Sequence, residues 1–248
     1  MKIIESKSNS YFKVLQKILK TPGVKKEKLF LMMGPKVVEE HYHHELVKSI
    51  LVVSEMPHLE PSLKKKIVML TPELYEELDI FETRAPLIVM DLPKIPLWEP
   101  KPPKGVELFL PVQDPANLGA IVRSAVAFGV KKIILLKESA HPFHPKAVKA
   151  SSGMVLKTQF EIGPSIQELH NHIDRYVSLD GDGVSLEKFD WPKDVSLLVG
   201  EEGLGLPKTL KHNAVSIPIN ADVESLNVMA ATSIALYDYS KKMIPKGN

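Results

Sequence analysis

LLVGEEGLGLP (residues 197–207) joins an apolar run to a turn rich in glycine. The run predicts a buried strand, and the glycines allow a tight backbone after it. A dinucleotide fingerprint has the order G-x-G-x-x-G, with the pyrophosphate at a helix N-terminus. Here the order is G-x-x-G-x-G, and Glu201 and Glu202 lie where the anion would bind. Because carboxylates repel phosphates, the loop is better suited to a neutral or cationic group, and the alternative is an ordinary turn.

The second part of the chain predicts an α/β domain with a parallel sheet. Its strand candidates are continuous apolar runs of the kind found in such sheets: ELFLPV (107–112), KKIILL (131–136), RYVSL (175–179), VSLLV (195–199) and AVSIPI (214–219). Helical patterns lie between and after them, over residues 117–128, 145–151, 165–172, 207–211 and 225–242. Ligands of such sheets bind beyond the carboxyl ends of the strands, so three loops become candidates for a site.

The first part of the chain also alternates apolar runs with helical stretches, which predicts a small α/β domain over residues 1–92. Its first helix is predicted over residues 8–20, with one apolar side formed by Tyr11, Val14, Leu15, Ile18 and Leu19. Five prolines in DLPKIPLWEPKPPKG (91–105) predict a stiff linker at 93–104, followed by a second domain at 105–248.

Composition excludes several classes of protein. The chain has no cysteine, which rules out disulfides, thiolate–zinc sites and a cysteine nucleophile. No apolar run approaches the roughly 18–20 residues of a membrane span, and the start lacks a signal-peptide core, so we expect a cytoplasmic protein without a membrane partner. HYHH (41–44) has no suitably spaced acidic or cysteine partner, so no metal site is predicted. Eight lysines and two glutamates in the first 28 residues form either a solvated face or a contact for nucleic-acid phosphates.

The first strand-end loop leads into PVQDPANLGAIVRSAVAFGV (111–130). Gly119 and Arg123 are four residues apart and share a helix face. Glycine costs a helix about 1 kcal/mol relative to alanine, so its place beside an arginine suggests that a ligand approaches closely. The alternative is a packing glycine and a surface arginine.

The last strand-end loop leads into VSIPINADVESLNVMAATSIALYDY (215–239). Ser225 or Asn227 is expected to open a helix whose small residues allow close packing. Taken alone, SLN is simply a helix cap.

Together, in this order, the three stretches resemble the SpoU (TrmH-like) family of RNA ribose methyltransferases, and the match covers residues 105–248. The matching residues are Asn117, Gly119 and Arg123; Gly200, Glu202, Gly203 and Gly205; and Ile217, Pro218, Ser225, Leu226 and Asn227. HPKAVKASSGM (144–154) is similar to a segment between the family's motifs. SKSNSYFKVLQKIL and LFLMMGPKVVEE are similar to an L30e-like RNA-binding domain. Met33 departs from that domain's usual glutamate, and Ala221 from the family's usual glycine.

The resemblance implies a SPOUT α/β domain with a deep C-terminal trefoil knot, which periodicity does not reveal. It implies a homodimer that binds S-adenosylmethionine (SAM). The implied cofactor-binding residues are Leu179, Asp180, Val199, Gly200, Gly203, Gly205, Ile217, Ile219 and Leu226. The implied catalytic residues are Asn117, Arg123, Glu202, Ser225 and Asn227.

The implied reaction is methyl transfer to a ribose 2′-OH of structured RNA. Arginine is almost never deprotonated, so Arg123 is expected to stabilise the developing alkoxide or to position a phosphate, with Glu202 orienting Asn117 or Arg123. Glu201 falls at the variable motif position and is expected to be replaceable. We expect 23S ribosomal RNA as substrate, with tRNA as the alternative. A non-catalytic RNA-binding protein that keeps the fold is the competing class.

Overall fold

The computed structural model describes residues 2–54, 60–172 and 176–243 of the 248-residue chain. It divides into two compact units. Unit 1 comprises residues 1–94 and 141–153, and unit 2 comprises residues 95–140 and 154–248.

The elements are numbered in chain order across both units. The strands are β1 Lys2–Ile4, β2 Leu29–Met32, β3 Val47–Val52, β4 Ile67–Leu70, β5 Leu87–Asp91, β6 Val106–Leu110, β7 Lys132–Leu135, β8 Gln159–Ile162, β9 Val177–Ser185, β10 Val195–Leu198 and β11 Ala214–Ser216. The α-helices are α1 Ser10–Lys17, α2 Thr21–Glu27, α3 Pro35–His41, α4 Pro61–Lys64, α5 Pro72–Leu78, α6 Pro115–Ala127, α7 Pro145–Ala150 and α8 Val228–Met243. Short 3₁₀ turns lie at Met154–Lys157, Leu169–Asn171, Leu186–Lys188 and Lys208–Leu210.

Unit 1 is built on a mixed sheet with the strand order β1-β4-β3-β5-β2. Strands β1, β4 and β3 run parallel, and β5 is antiparallel to both β3 and β2. The buried stripe of α1 and the residue that follows it is Phe12, Leu15 and Ile18. The predicted side contained Leu15 and Ile18 but missed Phe12. Tyr11 is only half-buried, and its hydroxyl bonds the side chain of the buried Ser49.

The segment 141–153 packs within unit 1 and not with the rest of the predicted second domain, residues 105–248. Phe143, Ala147 and Val148 are buried, and the Phe143 ring lies 4.8 Å from that of Phe30 on β2. Periodicity predicted the helix of this segment, but a pattern of buried positions does not specify which sheet they pack against.

Unit 2 is built on an all-parallel sheet with the strand order β11-β9-β10-β6-β7-β8. The chain adds β7 and β8 on one side of β6, then returns to the other side for β9, β10 and β11. The order therefore reverses between β6 and β10, which are direct neighbours with Leu198 opposite Phe109. This α/β architecture confirms the predicted fold class at the level of a parallel-sheet domain.

Several predicted elements of unit 2 differ from the structure. Strand β8 was not predicted, and the helix expected at 165–172 contains only a 3₁₀ turn among its described residues. Strand β11 stops before Pro218, which has no N–H to donate to a neighbouring strand. Helix α8 starts at Val228, three residues later than predicted, because Asn227 caps it.

The proline-rich segment 93–104 pairs with the sheet rather than only spanning a gap. The backbone N–H of Trp98 donates to the Ile162 carbonyl at 2.8 Å, and the backbone N–H of Ile162 donates to the Pro96 carbonyl at 2.9 Å. These two bonds attach the segment to β8, the edge strand of unit 2.

Candidate functional site

The candidate site lies where the strand order of unit 2 reverses. The carboxyl ends of β6 and β10 are adjacent there, and each strand continues into a loop that carries one predicted motif. After β6, Asp114 caps helix α6 by accepting a hydrogen bond from the Asn117 N–H at 2.8 Å. In open α/β sheets this crevice is the usual place for a ligand.

The loop after β10 is a closed, tight turn. Backbone bonds run in both directions between Glu201 and Gly205, each 2.9 Å long. Gly203 and Gly205 have φ of +84° and +69°, a region that side chains with a Cβ disfavour. A Cβ on Gly200 would lie 2.8 Å from the Gly205 carbonyl carbon, so the close approach requires glycine. The three motif glycines thus give the turn a fixed shape.

Three predicted residues from three different motifs form one hydrogen-bonded chain, which we call the amide relay: Asn227, Asn117 and Glu202. The Asn227 Nδ2 donates to Asn117 Oδ1 at 3.4 Å, and the Asn117 Nδ2 donates to Glu202 Oε1. The Asn227 Oδ1 in turn accepts from the Met229 N–H at 2.9 Å. Because that cap fixes which end of the Asn227 amide faces Asn117, the direction of the whole relay is fixed as well.

The relay joins the N-termini of two helices. Asn117 lies in the first turn of α6, and Asn227 is the cap of α8. The positive ends of both helix dipoles therefore lie at the relay, an arrangement that favours a negative charge there.

The two neighbouring glutamates differ in their surroundings. Glu202 is exposed and ends the relay, whereas Glu201 is only 9% exposed and accepts a hydrogen bond from the Gln113 side chain at 3.3 Å. Sequence reasoning missed Gln113, and no spacing signal pointed to it.

Arg123 and Ser225 are not joined to the relay. Both side chains are exposed, and within the described ranges neither makes a hydrogen bond or an ion pair. Arg123 is six residues after Asn117, which places it roughly 9 Å farther along α6 and about a third of a turn away. Helices α6 and α8 do pack together, with Ser233 donating to Ser124 at 2.8 Å.

The residues predicted to bind a cofactor follow β10 and β11 or lie within β9. Because β9 lies between β10 and β11 and all three are parallel, their carboxyl ends share one edge of the sheet. Leu179 and Asp180 lie inside the long strand β9 rather than after it, in an irregular stretch between the pairs Ser178–Ala214 and Val184–Val215. The remaining predicted residues, by place, are Val199, Gly200, Gly203 and Gly205 after β10 and Ile217, Ile219 and Leu226 after β11.

Asp180 has an ionic partner. Its carboxylate lies 2.8 Å from the Lys211 ammonium, and this hydrogen bond raises the pKa of Lys211. Asp180 therefore contributes less free negative charge to this edge than its side chain alone would.

The described residues contain no group of three His, Cys, Asp or Glu side chains arranged to hold a metal ion. In the HYHH stretch, His41 Nδ1 donates to the Val37 carbonyl at 2.7 Å, and His44 Nδ1 accepts from the Leu46 N–H at 3.2 Å. Within the same ranges, no helix combines the length and apolar character needed to cross a membrane.

Comparison with known proteins decides the family. The model of the SpoU rRNA Methylase family matches residues 108–237, a range that contains the entire amide relay. The chain belongs to the SpoU rRNA Methylase family. This confirms the resemblance drawn from the three motifs.

Relatives of this SpoU-family chain carry RNA methyltransferase names. The chain is 38% identical to the ribosomal RNA small subunit methyltransferase G 2 of Syntrophobacter fumaroxidans, over 96% of the chain and 49% of that protein. It is 28% identical to the 23S rRNA (guanosine(2553)-2'-O)-methyltransferase RlmP of Bacillus subtilis, over 96% of the chain and 98% of that protein. The chain thus spans about half the length of the first relative and nearly all of the second.

Solved structures share the fold. The SpoU methyltransferase AviRb from Streptomyces viridochromogenes, in complex with AdoMet, is 25% identical to the chain, with a TM-score of 0.78. The match covers 97% of the chain and 100% of AviRb. An AdoMet-bound rRNA methyltransferase from Sinorhizobium meliloti is 22% identical, with a TM-score of 0.82. That match covers 98% of the chain and 99% of the methyltransferase.

Proposed function

We propose that the chain is a SAM-dependent methyltransferase that acts on a ribose 2′-OH of structured RNA. The observation that carries this proposal is the amide relay, in which Asn117, Glu202 and Asn227 from three separate motifs meet at the strand-order reversal. The family membership and the names of the relatives support the same reaction.

The chemistry of the candidate edge fits SAM. The cofactor carries a sulfonium cation and no phosphate, which agrees with a tight turn that presents the exposed Glu202 carboxylate. Ile217, Ile219 and Leu226 are at least partly exposed and offer apolar contacts, and the loop backbones offer hydrogen-bonding groups. Val199, Gly200, Gly203, Gly205, Leu179 and Asp180 complete the proposed cofactor-binding set. When bound, SAM supplies an electrophilic methyl group.

The chain's own residues have distinct proposed roles. Arg123 stabilises the developing alkoxide or positions the adjacent phosphate, since its guanidinium is free of an internal carboxylate among the described residues. Glu202 holds Asn117, and Asn227 holds it from the other side, so the Asn117 amide is fixed in orientation. Ser225 lies two residues before the α8 cap and contacts the ribose or the methionine end of the cofactor.

Three further features belong to this proposal. We propose that the C-terminal part of unit 2 forms a trefoil knot and that residues 1–92 form an L30e-like RNA-binding domain, with the lysine-rich start as a phosphate contact. We also propose a homodimer. Exposed apolar side chains support the dimer: Leu204 is 80% exposed, and Ile234 and Tyr237 on α8 are 39% and 55% exposed.

For the substrate we favour 23S ribosomal RNA. The relative RlmP, which the chain covers almost completely, is named for a 2′-O-methylated guanosine of that RNA. The first relative is named for the small subunit, but about half of it lies outside the match. The alternatives are tRNA and a non-catalytic RNA-binding protein that keeps the fold.

Two measurements test the proposal. Mapping 2′-O-methyl groups in total RNA from cells with and without the protein is expected to reveal the loss of one site in 23S RNA. Loss of a 2′-O-methyl group in tRNA instead would identify tRNA as the substrate. If no methyl group is lost and calorimetry detects no SAM binding, the non-catalytic alternative is favoured.

The role of Arg123 has its own test. Arg123→Ala is expected to abolish turnover while leaving the Kd for SAM within about threefold, because the arginine is proposed to act on the nucleophile. Arg123→Lys keeps a positive charge and is expected to retain part of the rate. Arg84→Ala, at another exposed arginine in unit 1, serves as the matched control. Turnover by Arg123→Ala at the parent rate would show the assignment to be wrong.

A further inference from the structure

A cavity lies at the amino ends of the unit 2 strands, whereas the amide relay lies at their carboxyl ends. Its lining includes Val177 and Val195, the first residues of β9 and β10, and Glu107, the second residue of β6. Its volume is about 1010 Å³, at the upper end of the roughly 300–1,000 Å³ typical of small-molecule sites. Strands β6 and β10, of five and four residues, separate the two ends of the sheet by roughly 13–17 Å. The cavity is therefore separate from the proposed methyl-transfer site.

The cavity walls are aromatic and stiff. Trp98, His172, Tyr176 and His212 line it, with the Trp98 and His172 rings 6.5 Å apart and the Tyr176 and His212 rings 5.1 Å apart. A further wall is formed by the prolines of the segment 100–103, whose backbone is restricted before any ligand binds. Such walls suit a flat ring that stacks on aromatic side chains.

The cavity also contains a buried carboxylate. Glu107 is only 4% exposed; its Oε1 accepts from the Ser196 hydroxyl at 2.8 Å, and its Oε2 lies 3.4 Å from the Lys132 ammonium. A carboxylate has about four acceptor positions, so two remain for donors of a ligand.

Trp98, which also lines the cavity, carries an indole donor. The Trp98 Nε1–H is buried and has no acceptor within residues 2–54, 60–172 and 176–243. A buried donor without a partner is costly, and an acceptor on a ligand would relieve that cost.

We propose that this cavity binds a guanine base. Guanine is the nucleobase with two adjacent donors, N1–H and N2–H₂, which match the two free positions on the Glu107 carboxylate. Its O6 and N7 are acceptors that suit the Trp98 Nε1–H, and its rings suit the aromatic walls. Adenine and cytosine place a ring acceptor beside their amino group, and that acceptor would face the carboxylate unfavourably.

The charges at the cavity indicate that the base, not a phosphate, is recognised. Lys101 and Asp194 line the cavity, and the Lys101 ammonium lies 2.7 Å from the carboxylate of Glu99. Lys132, which is not a lining residue, is paired with Glu107 and Glu161. Neither ammonium is therefore unpaired. The same base chemistry comes from a free guanine nucleotide or from a guanosine in single-stranded RNA, and the proposal does not depend on the methyl-transfer reaction.

The test uses the two tryptophans of the chain as reporters. Labelling with ¹⁵N-tryptophan gives two indole N–H signals. Trp191 is the internal reference because its Nε1–H bonds Asp238 at 2.8 Å. The full-length protein is titrated with GMP, with AMP, and with single-stranded RNA hexamers that differ by one guanosine or adenosine.

A shift of the Trp98 signal with GMP but not AMP supports the proposal, and a shift only with the guanosine-containing hexamer supports it with RNA as the source. No shift with either guanine probe, or equal shifts with the adenine probes, overturns it.

Variants provide a second readout by calorimetry with the guanine probe that binds. Glu107→Gln is expected to weaken binding tenfold or more, because it removes a charged acceptor. Trp98→Phe keeps a ring but removes the donor, and is expected to weaken binding about threefold to tenfold. Trp191→Phe makes the same chemical change outside the cavity and is expected to bind as the parent does. Unchanged affinity in folded Trp98→Phe and Glu107→Gln proteins would contradict the proposal.

Discussion

The carboxylates of Glu201 and Glu202 belong to different parts of the molecule although the residues are neighbours. Glu202 is exposed and holds Asn117, so Glu202→Ala is expected to lower kcat at least tenfold with little change in Tm. Glu201 is buried against Gln113, so Glu201→Ala is expected to lower the free energy of unfolding by about 1 kcal/mol. The two variants are compared by measuring kcat and, from urea unfolding, the free energy of unfolding. Equal stability of the two would support the sequence-based expectation that Glu201 is replaceable.

His141 predicts a pH dependence of stability in unit 1. Burial, the nearby Lys25 ammonium and His144 lower the pKa of His141 to about 4. In the unfolded chain the pKa is near 6.5, so between these values the unfolded state binds more protons than the folded state. Stability is therefore full above about pH 6.5 and falls as the pH drops to 4, by a total on the order of 3 kcal/mol.

The measurement for His141 is urea unfolding at a series of pH values. His141→Asn removes the titrating ring and is expected to flatten the slope between pH 6.5 and 4. His43→Asn, at an exposed histidine of the same unit, is the control and is expected to keep the slope. The same slope in His141→Asn and parent would assign the pH dependence to other groups.

At the scale of residues, sequence could name the members of the relay but not its order. Asn117, Glu202 and Asn227 were predicted from the resemblance of their three motifs to the SpoU family. Which amide end faces which neighbour depends on the cap that Asn227 makes with Met229, and on a turn closed by backbone bonds between Glu201 and Gly205. Those contacts are long-range or depend on exact backbone angles, and a linear pattern contains neither.

At the scale of elements, the cap of α8 separates a structural role of Asn227 from a functional one. Asn227→Ala removes both the cap and the relay donor, and is expected to cost about 1 kcal/mol of stability as well as activity. Asn227→Asp keeps an oxygen for the Met229 N–H but has no Nδ2–H for Asn117. We expect it to unfold at nearly the parent temperature while turnover falls at least tenfold. Turnover at the parent rate in Asn227→Asp would show that the amide relay is not needed for the reaction.

The elements that sequence predicted best are the continuous apolar strands β6, β7 and β10, because central parallel strands are buried on both faces. Strand β8 was not predicted because only Phe160 of its four residues is buried, so no continuous apolar run marks it. The irregular stretch of β9, LDGDG (179–183), was not predicted because its register against β11 is set by pairing across the sheet and not by these residues alone.

At the scale of the whole molecule, the proposed homodimer explains the exposed apolar side of α8. Ile234 and Tyr237 are three residues apart and lie on one side of the helix, where a monomer would leave them in water. Sedimentation equilibrium of the parent is expected to give twice the 27.7 kDa chain mass. The double variant Ile234→Asp and Tyr237→Asp is expected to give the monomer mass with an unchanged circular dichroism spectrum, since a charge is costly at an apolar interface but tolerated on a free surface. Ile80→Asp, at a similarly exposed apolar residue of unit 1, is the matched control and is expected to remain dimeric. A dimer that survives the double variant would place the interface elsewhere, and a monomeric parent would refute the dimer itself.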